Sequence, residues 1–312
     1  MRSLNSLEVG VKSDPIEYRY SYEWLFDLMQ EEEVRHVQVG SFFELYQLPD
    51  EFFLALRESA EKRSVRISSM FTAHRELGGF FRREAGWEAV ARRNFERMIE
   101  VGALLGAASV GSNPGAVMRD DSSHKAQGIA CYVKHMKELM HFAHAKGLEC
   151  LTIEPMSCLA EPPTLPDEIE AMAEELNAYH RQLPESTVRV GYCADVSHGY
   201  ADEHSAVKHT HTELFVATLP YLWEVHLKNT DAIFGSTFGF SESERARGIV
   251  NIAEFVEVLR TNAARIPQEK LIGYLEIGGP KVGRDYSDRR LGEELRKSLA
   301  HVKEVFRWGN TD

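Results

Sequence analysis

The strongest constraint on this chain is a rhythm: eight short apolar runs alternate with eight longer amphipathic stretches. The short runs are Leu7–Lys12, Arg35–Gly40, Val65–Met70, Gly106–Gly111, Glu149–Glu154, Val188–Asp195, Leu222–Lys228 and Leu271–Ile277. Their length, alternation and Val/Ile content mark them as strands. The long stretches lie near Ser21–Glu33, Pro49–Lys62, Trp87–Leu105, Ser122–Lys146, Pro166–Tyr179, Ser205–Leu219, Val250–Ala264 and Arg290–Val305. In the fourth, Leu139, Phe142 and Ala143 show the i, i+3, i+4 spacing of a buried helical stripe. Eight strand–helix units in succession predict an α/β fold, a (β/α)8 TIM barrel occupying residues 1–312 as a single domain. The 312 residues suit it, since such barrels run to about 250 residues or more. The richest breaker region, Pro155–Pro166, reads as a loop between a strand and a helix. The competing architecture is a doubly wound open sheet. Its strongest nucleotide signals are missing: the first strand–helix turn, Lys12–Glu17, lacks G-x-G-x-x-G, and no G-x-x-x-x-G-K-[ST] occurs.

Composition narrows the function. Forty-eight acidic residues against 36 Lys and Arg give a net charge of −12, which argues against nucleic acid and anionic membranes as partners. No apolar run reaches the roughly 18 residues of a membrane span. Met1–Lys12 shows no signal-peptide apolar core. The four cysteines (Cys131, Cys150, Cys158, Cys193) form no C-x-x-C pair, and together these features predict a reduced, cytoplasmic setting.

In a barrel of this kind, the C-terminal ends of the strands open onto one mouth. The fifth predicted strand ends in Glu154 and the sixth in Asp195, the seventh carries His226 near its end, and the eighth carries Glu276. Singly, each has an ordinary explanation: a solvated loop carboxylate, or a packed histidine. One per consecutive strand, in register, they suit a divalent cation. Three carboxylates and one imidazole favour Mn²⁺, first, or Mg²⁺ or Co²⁺, over zinc. One such ion would offset the mutual repulsion of the carboxylates.

The ordered motifs Thr152–Pro155 (T-I-E-P), Asp195–His198 (D-x-x-H), Val225–Lys228 (V-H-L-K) and Leu275–Gly278 (L-E-I-G) resemble those of the xylose-isomerase-like TIM-barrel superfamily. The sugar-phosphate isomerase/epimerase branch, with its ketose 3-epimerases of the tagatose 3-epimerase type, is nearest. The resemblance covers about residues 145–285 and is architectural before that. It implies that Glu154, Asp195, His226 and Glu276 are metal ligands, that Glu154 and Glu276 are also the catalytic acid/base pair, and that His198 contacts substrate. Those epimerases carry an arginine soon after the strand-seven histidine. Ala232 and Ile233 stand there in this chain, which passes the substrate-gripping role to Lys228 or another residue. The expected reaction is metal-dependent epimerisation or isomerisation of a ketose or ketose phosphate through a cis-enediolate. One glutamate removes the proton beside the carbonyl, and a second on the far face returns one. The partner is then a small carbohydrate, with homo-oligomerisation left open.

Two rivals share the superfamily. An inosose-dehydratase-like lyase would eliminate water from the same enediolate. An endonuclease IV-type phosphodiesterase would need extra histidines for zinc, but Ser112-Asn113-Pro114-Gly115 follows strand four and no D-x-H follows His226. Among weaker features, His74 and Lys12 are candidate substrate-binding residues. Trp87 and Phe80-Phe81 read as helix packing in preference to an apolar lid, and His135, His141 and His144 as structural. Gly235–Ser241, with Lys281 and Arg284, is a candidate phosphate loop, balanced against an ordinary flexible loop.

Overall fold

The computed structural model describes residues 4–40, 42–277 and 285–309. Eight parallel strands close into a barrel: β1 (Ser6–Lys12), β2 (His36–Val39), β3 (Arg66–Thr72), β4 (Ser109–Ser112), β5 (Cys150–Ile153), β6 (Arg189–Asp195), β7 (Leu222–Leu227) and β8 (Lys270–Leu275). Each strand pairs with its sequence neighbours, and β8 returns to β1 along six register pairs from Ser6↔Lys270 to Val11↔Leu275. The predicted (β/α)8 barrel is therefore the observed fold.

The main helices are α1 (Tyr22–Glu31), α2 (Asp50–Glu61), α3 (Ala85–Leu105), α4 (Lys125–Ala145), α5 (Pro166–Gln182), α6 (His211–Thr218), α7 (Ile252–Thr261) and α8 (Asp285–Gly309). Their apolar faces seal the outside of the barrel. Phe26 and Met29 of α1, Phe53 of α2, Phe95 and Met98 of α3 and Leu139 and Met140 of α4 are fully buried, each contributing about 1.5–3 kcal/mol relative to exposure. The stripe in α4 is as expected at Leu139 and Ala143, while Phe142 is only half-buried.

One predicted helix is shorter than its pattern. Within Ser205–Leu219, Val207–His209 pairs antiparallel with Tyr200–Ala201 in a small hairpin, and the helix begins only at His211. The stop is local. Thr210 accepts from the Glu213 backbone N–H, and the Glu213 side chain accepts from the Thr210 N–H, a capping box that fixes the first turn.

Two irregularities shape the barrel interior. Val37 pairs with Ile67 but Gln38 pairs with Ser69, leaving Ser68 as an extra residue in β3. Likewise Tyr192 pairs with Leu222 but Cys193 with Glu224, leaving Trp223 extra in β7. Such bulges re-aim the side chains that follow them.

Candidate active site

Strand register brings the four ligand candidates to one level. Asp195 is the last residue of β6 and pairs with His226 in β7, which pairs in turn with Tyr274 in β8. Glu154 and Glu276 each follow the last residue of their strand, β5 and β8. The backbone N–H of Glu276 still donates to the Leu227 carbonyl at 3.0 Å, which extends the ladder by one residue and holds the glutamate at the rim. Ligand atoms of Glu154, Asp195, His226 and Glu276 all lie within 4.8 Å of one another.

Burial and charge dominate this cluster. His226 Nδ1 lies 2.8 Å from Glu154 Oε1 and 3.2 Å from Glu276 Oε2. Asn113, just past β4, donates to Glu154 Oε2 at 2.7 Å. Ser197 gives its backbone N–H and its hydroxyl to Asp195 Oδ1. Two buried lysines enter as well. Lys12, at the end of β1, lies 2.9 Å from both Glu276 Oε1 and Asp14 Oδ2. Lys228 lies 2.5 Å from Asp195 Oδ2, 3.8 Å from Glu276 Oε2 and 3.2 Å from His198 Nε2.

The carboxyl groups respond to these neighbours. Burial works to raise Glu276, but Lys12, Lys228 and His226 hold it well below the usual carboxylate range. Burial also opposes ionisation of Glu154, yet His226 and His198 bring it down to about 2. Burial would lower both lysines; Asp14 and Glu276 keep Lys12, and Asp195 and Glu276 keep Lys228, above the ordinary lysine range. The site therefore holds charged carboxylates next to charged ammoniums in a desolvated setting.

The residues fit a divalent cation. Asp195 Oδ2 and Glu276 Oε2 are buried and make no hydrogen bond of good geometry, and both face the cluster. Three hard oxygens and one imidazole nitrogen are a donor set for Mn²⁺, Mg²⁺ or Co²⁺.

A second group, Glu88, Cys131 and His135, lies between α3 and α4. There His135 Nδ1 faces the Arg92 guanidinium at 3.4 Å and Nε2 lies 2.6 Å from Glu88. An arginine against one ring nitrogen requires the proton on the other. That ring bridges two helices, stacked on Phe80 with centroids 4.7 Å apart. Phe80 and Phe81 are fully buried, and Trp87 is half exposed under Arg82, so the pair belongs to the core.

A family model describing the xylose isomerase-like TIM barrel matches residues 26–266. The chain belongs to the xylose isomerase-like TIM barrel family. Three solved structures share the fold at low identity. A candidate xylose isomerase from Rhodospirillum rubrum shares 17% identity at a TM-score of 0.74, covering 96% of this chain and 99% of that one. D-psicose 3-epimerase from Clostridium cellulolyticum, solved with D-tagatose, shares 14% at 0.67, covering 96% and 99%. D-allulose 3-epimerase from Methylomonas, solved with D-allulose, shares 15% at 0.65, covering 98% and 99%. At such identities the likeness speaks for the fold alone. No curated protein matches this sequence.

Of the remaining sequence candidates in this xylose isomerase-like barrel, Lys12, Lys228 and His198 reach the cluster. His198 is fixed by Pro155 O, 2.7 Å from its Nδ1, and lies 3.3 Å from Asp195 Oδ2 through Nε2. His74 does not join them. It opens a 3-10 turn beyond β3, beside Gly78 and near Glu161, Arg75 and Arg119, with no contact to the quartet among the described residues.

The candidate phosphate loop is already supplied with an anion. Asp231 accepts the Ile233 and Gly235 backbone N–H groups and the Ser236 hydroxyl, while Glu244 accepts from Ser241. Those donors already face carboxylates. Lys281 and Arg284 lie outside the described residues.

Sequence reasoning missed Gln38, Asn113, Ser197 and Asp14. The signal for Gln38 was present: a polar residue at an inward position of an apolar strand, the same pattern that marks His226.

Proposed function

We propose that this chain is a divalent-metal-dependent epimerase or isomerase of a small ketose, with Mn²⁺ its first-choice ion and C3 epimerisation its favoured reaction. The observation that carries this reading is the placement of Glu154 and Glu276. They sit at the rims of β5 and β8, strands that are not neighbours, yet both reach His226 Nδ1. A sugar held at that centre has a carboxylate on each side.

The bound cation would supply Lewis-acid polarisation of the substrate carbonyl and charge compensation for the carboxylates. The rest falls to the chain. Either glutamate, ionised, suits removal of the proton beside the carbonyl on one face; the other, having first taken a proton from solvent or a substrate hydroxyl, would return one on the opposite face, inverting the carbon by way of an enediolate of the sugar. Lys228, whose ammonium donates to His198 Nε2, and His198 stand on the Asp195 side. Lys12 stands on the Glu276 side. These are the groups placed to hold substrate oxygens, and Lys228 stands in for the arginine that ketose 3-epimerases carry after this strand. The committed donors around Asp231 favour the free sugar over its phosphate.

The test is turnover of tetruloses, pentuloses and hexuloses in D₂O with Mn²⁺, read by NMR. Solvent deuterium at C3 of an epimer supports the two-glutamate scheme. Deuterium at C1 or C2 of an aldose selects isomerisation with one glutamate. Conversion with no exchange and full activity in Glu276→Gln would overturn the scheme, and dehydration of a keto-inositol would move the chain to the lyases.

A further inference from the structure

Beneath the quartet, the barrel interior holds a polar layer that the proposed chemistry does not use. Glu224 of β7 is buried two residues before His226 and accepts from three hydroxyls: Ser69 at 3.0 Å, Thr152 at 3.0 Å and Ser109 at 3.2 Å. Ser69 accepts from the Gln38 amide nitrogen at 3.2 Å, and Gln38 Oε1 lies 2.7 Å from His226 Nε2. Gln38, Ser69 and His226 are each fully buried. The extra residues Ser68 and Trp223, immediately before Ser69 and Glu224, place two bulges at the points where this line turns inward.

With Glu224 as a carboxylate accepting from its three hydroxyls, the line has only one self-consistent direction. A serine hydroxyl owns one proton. Ser69 gives it to Glu224, so Ser69 Oγ can only accept from Gln38, and Gln38 must turn its NH₂ towards it. The Gln38 carbonyl then faces His226 and requires a proton on Nε2. A flipped amide would set its oxygen against a hydroxyl with no proton left to give. Nε2 thereby keeps its proton, which leaves Nδ1, the nitrogen facing Glu154 and Glu276, as the one a cation can take.

We propose that Glu224, Ser69 and Gln38 are positioning residues that select the His226 tautomer and so present Nδ1 as a cation ligand. This rests on the reading of the quartet as a metal site. Ordered outer groups of this kind alter metal affinity by roughly 10–100-fold when removed.

Ser69 and Ser109 provide the decisive comparison. Both are buried and both donate to Glu224, but only Ser69 continues to Gln38. Mn²⁺ affinity by chelator competition should fall at least tenfold in Ser69→Ala and stay near wild type in Ser109→Ala, with the Co²⁺ visible absorption spectrum altered in the first alone. Glu224→Gln, which can keep its oxygen towards Ser69, should bind nearly as wild type. Equal losses in Ser69→Ala and Ser109→Ala, or no loss in either, would overturn the proposal. So would a large loss in Glu224→Gln, which would assign the effect to charge. A readout independent of variant folding is the long-range ¹H–¹⁵N spectrum of Zn²⁺-loaded wild type. His226 bound through Nδ1 with a protonated Nε2 is expected, and binding through Nε2 refutes it. Failure of wild type to bind any divalent cation would instead strike the metal reading itself.

Discussion

Replacing Lys228 with methionine separates stability from metal binding. Lys228 is buried against Asp195 Oδ2 at 2.5 Å, with Glu276 and His198 beside it. Methionine keeps much of the volume but leaves two buried carboxylates short of a cation. Breaking a buried ion pair from one side costs about 3–5 kcal/mol. At about 2.1 cal/mol/K per residue, the unfolding entropy of 312 residues is about 0.65 kcal/mol/K. The metal-free variant should therefore melt about 5–8 °C below metal-free wild type. Mn²⁺ should close most of that gap. Three carboxylates opposed by one ammonium instead of two attract a cation more strongly, so Mn²⁺ should bind the variant at least about tenfold more tightly while turnover falls. Calorimetric melting with and without Mn²⁺, together with chelator competition, checks all three. A metal-free variant that melts within about 1 °C of wild type, or one that binds Mn²⁺ more weakly, would refute the account of Lys228 as a charge partner competing with the ion.

Glu154→Gln should abolish Mn²⁺ binding. It should also flatten the acid limb of metal-free stability. Glu154 lies near 2 in the folded chain and higher when unfolded, so its contribution is complete above about pH 4.5 and is lost as pH falls towards 2; urea unfolding between these limits checks it. Gly40→Ala should be destabilising, because its Cβ would fall 1.4 Å from Asp14 Oδ1 and drive Asp14 from Lys12; a lower melting temperature and weaker Mn²⁺ binding are the readouts. Phe80→Ala should cost about 3–5 kcal/mol, and Trp87→Ala, half exposed, less than about 1 kcal/mol; denaturant titration distinguishes the two.

The barrel was legible because each unit repeats one physical pattern, an apolar strand followed by an amphipathic helix, and repetition makes single misreadings harmless. The hairpin at Tyr200–Ala201 and Val207–His209 was not, since two and three residues are too few to show a period. The gathering of Glu154, Asp195, His226 and Glu276 was legible because charged residues at the ends of apolar strands are costly without a shared purpose. His74 stands apart from the quartet because it lies in a turn beyond β3 and not at a strand end. Gln38 and Glu224 each interrupt an apolar strand as His226 does, but their link through Ser69 follows the extra residue Ser68 in β3, a register shift that no local pattern announces.

The order of the strands divides the labour of the site between two halves of the chain. All four members of the quartet come from β5–β8, whereas Lys12, Gln38, Ser69 and Asn113, which touch or steady them, come from β1–β4. The Lys12–Glu276 pair joins residues 264 positions apart across the β1–β8 seam. A nascent chain holds all four side chains only after Glu276 has been made, and Lys12, Gln38 and Asn113 reach them only once the barrel has closed. The same separation lets drift in β1–β4 retune affinity and tautomer while the four ligands stay untouched. A barrel of this plan can change its appetite for a metal without changing a single atom that would touch it.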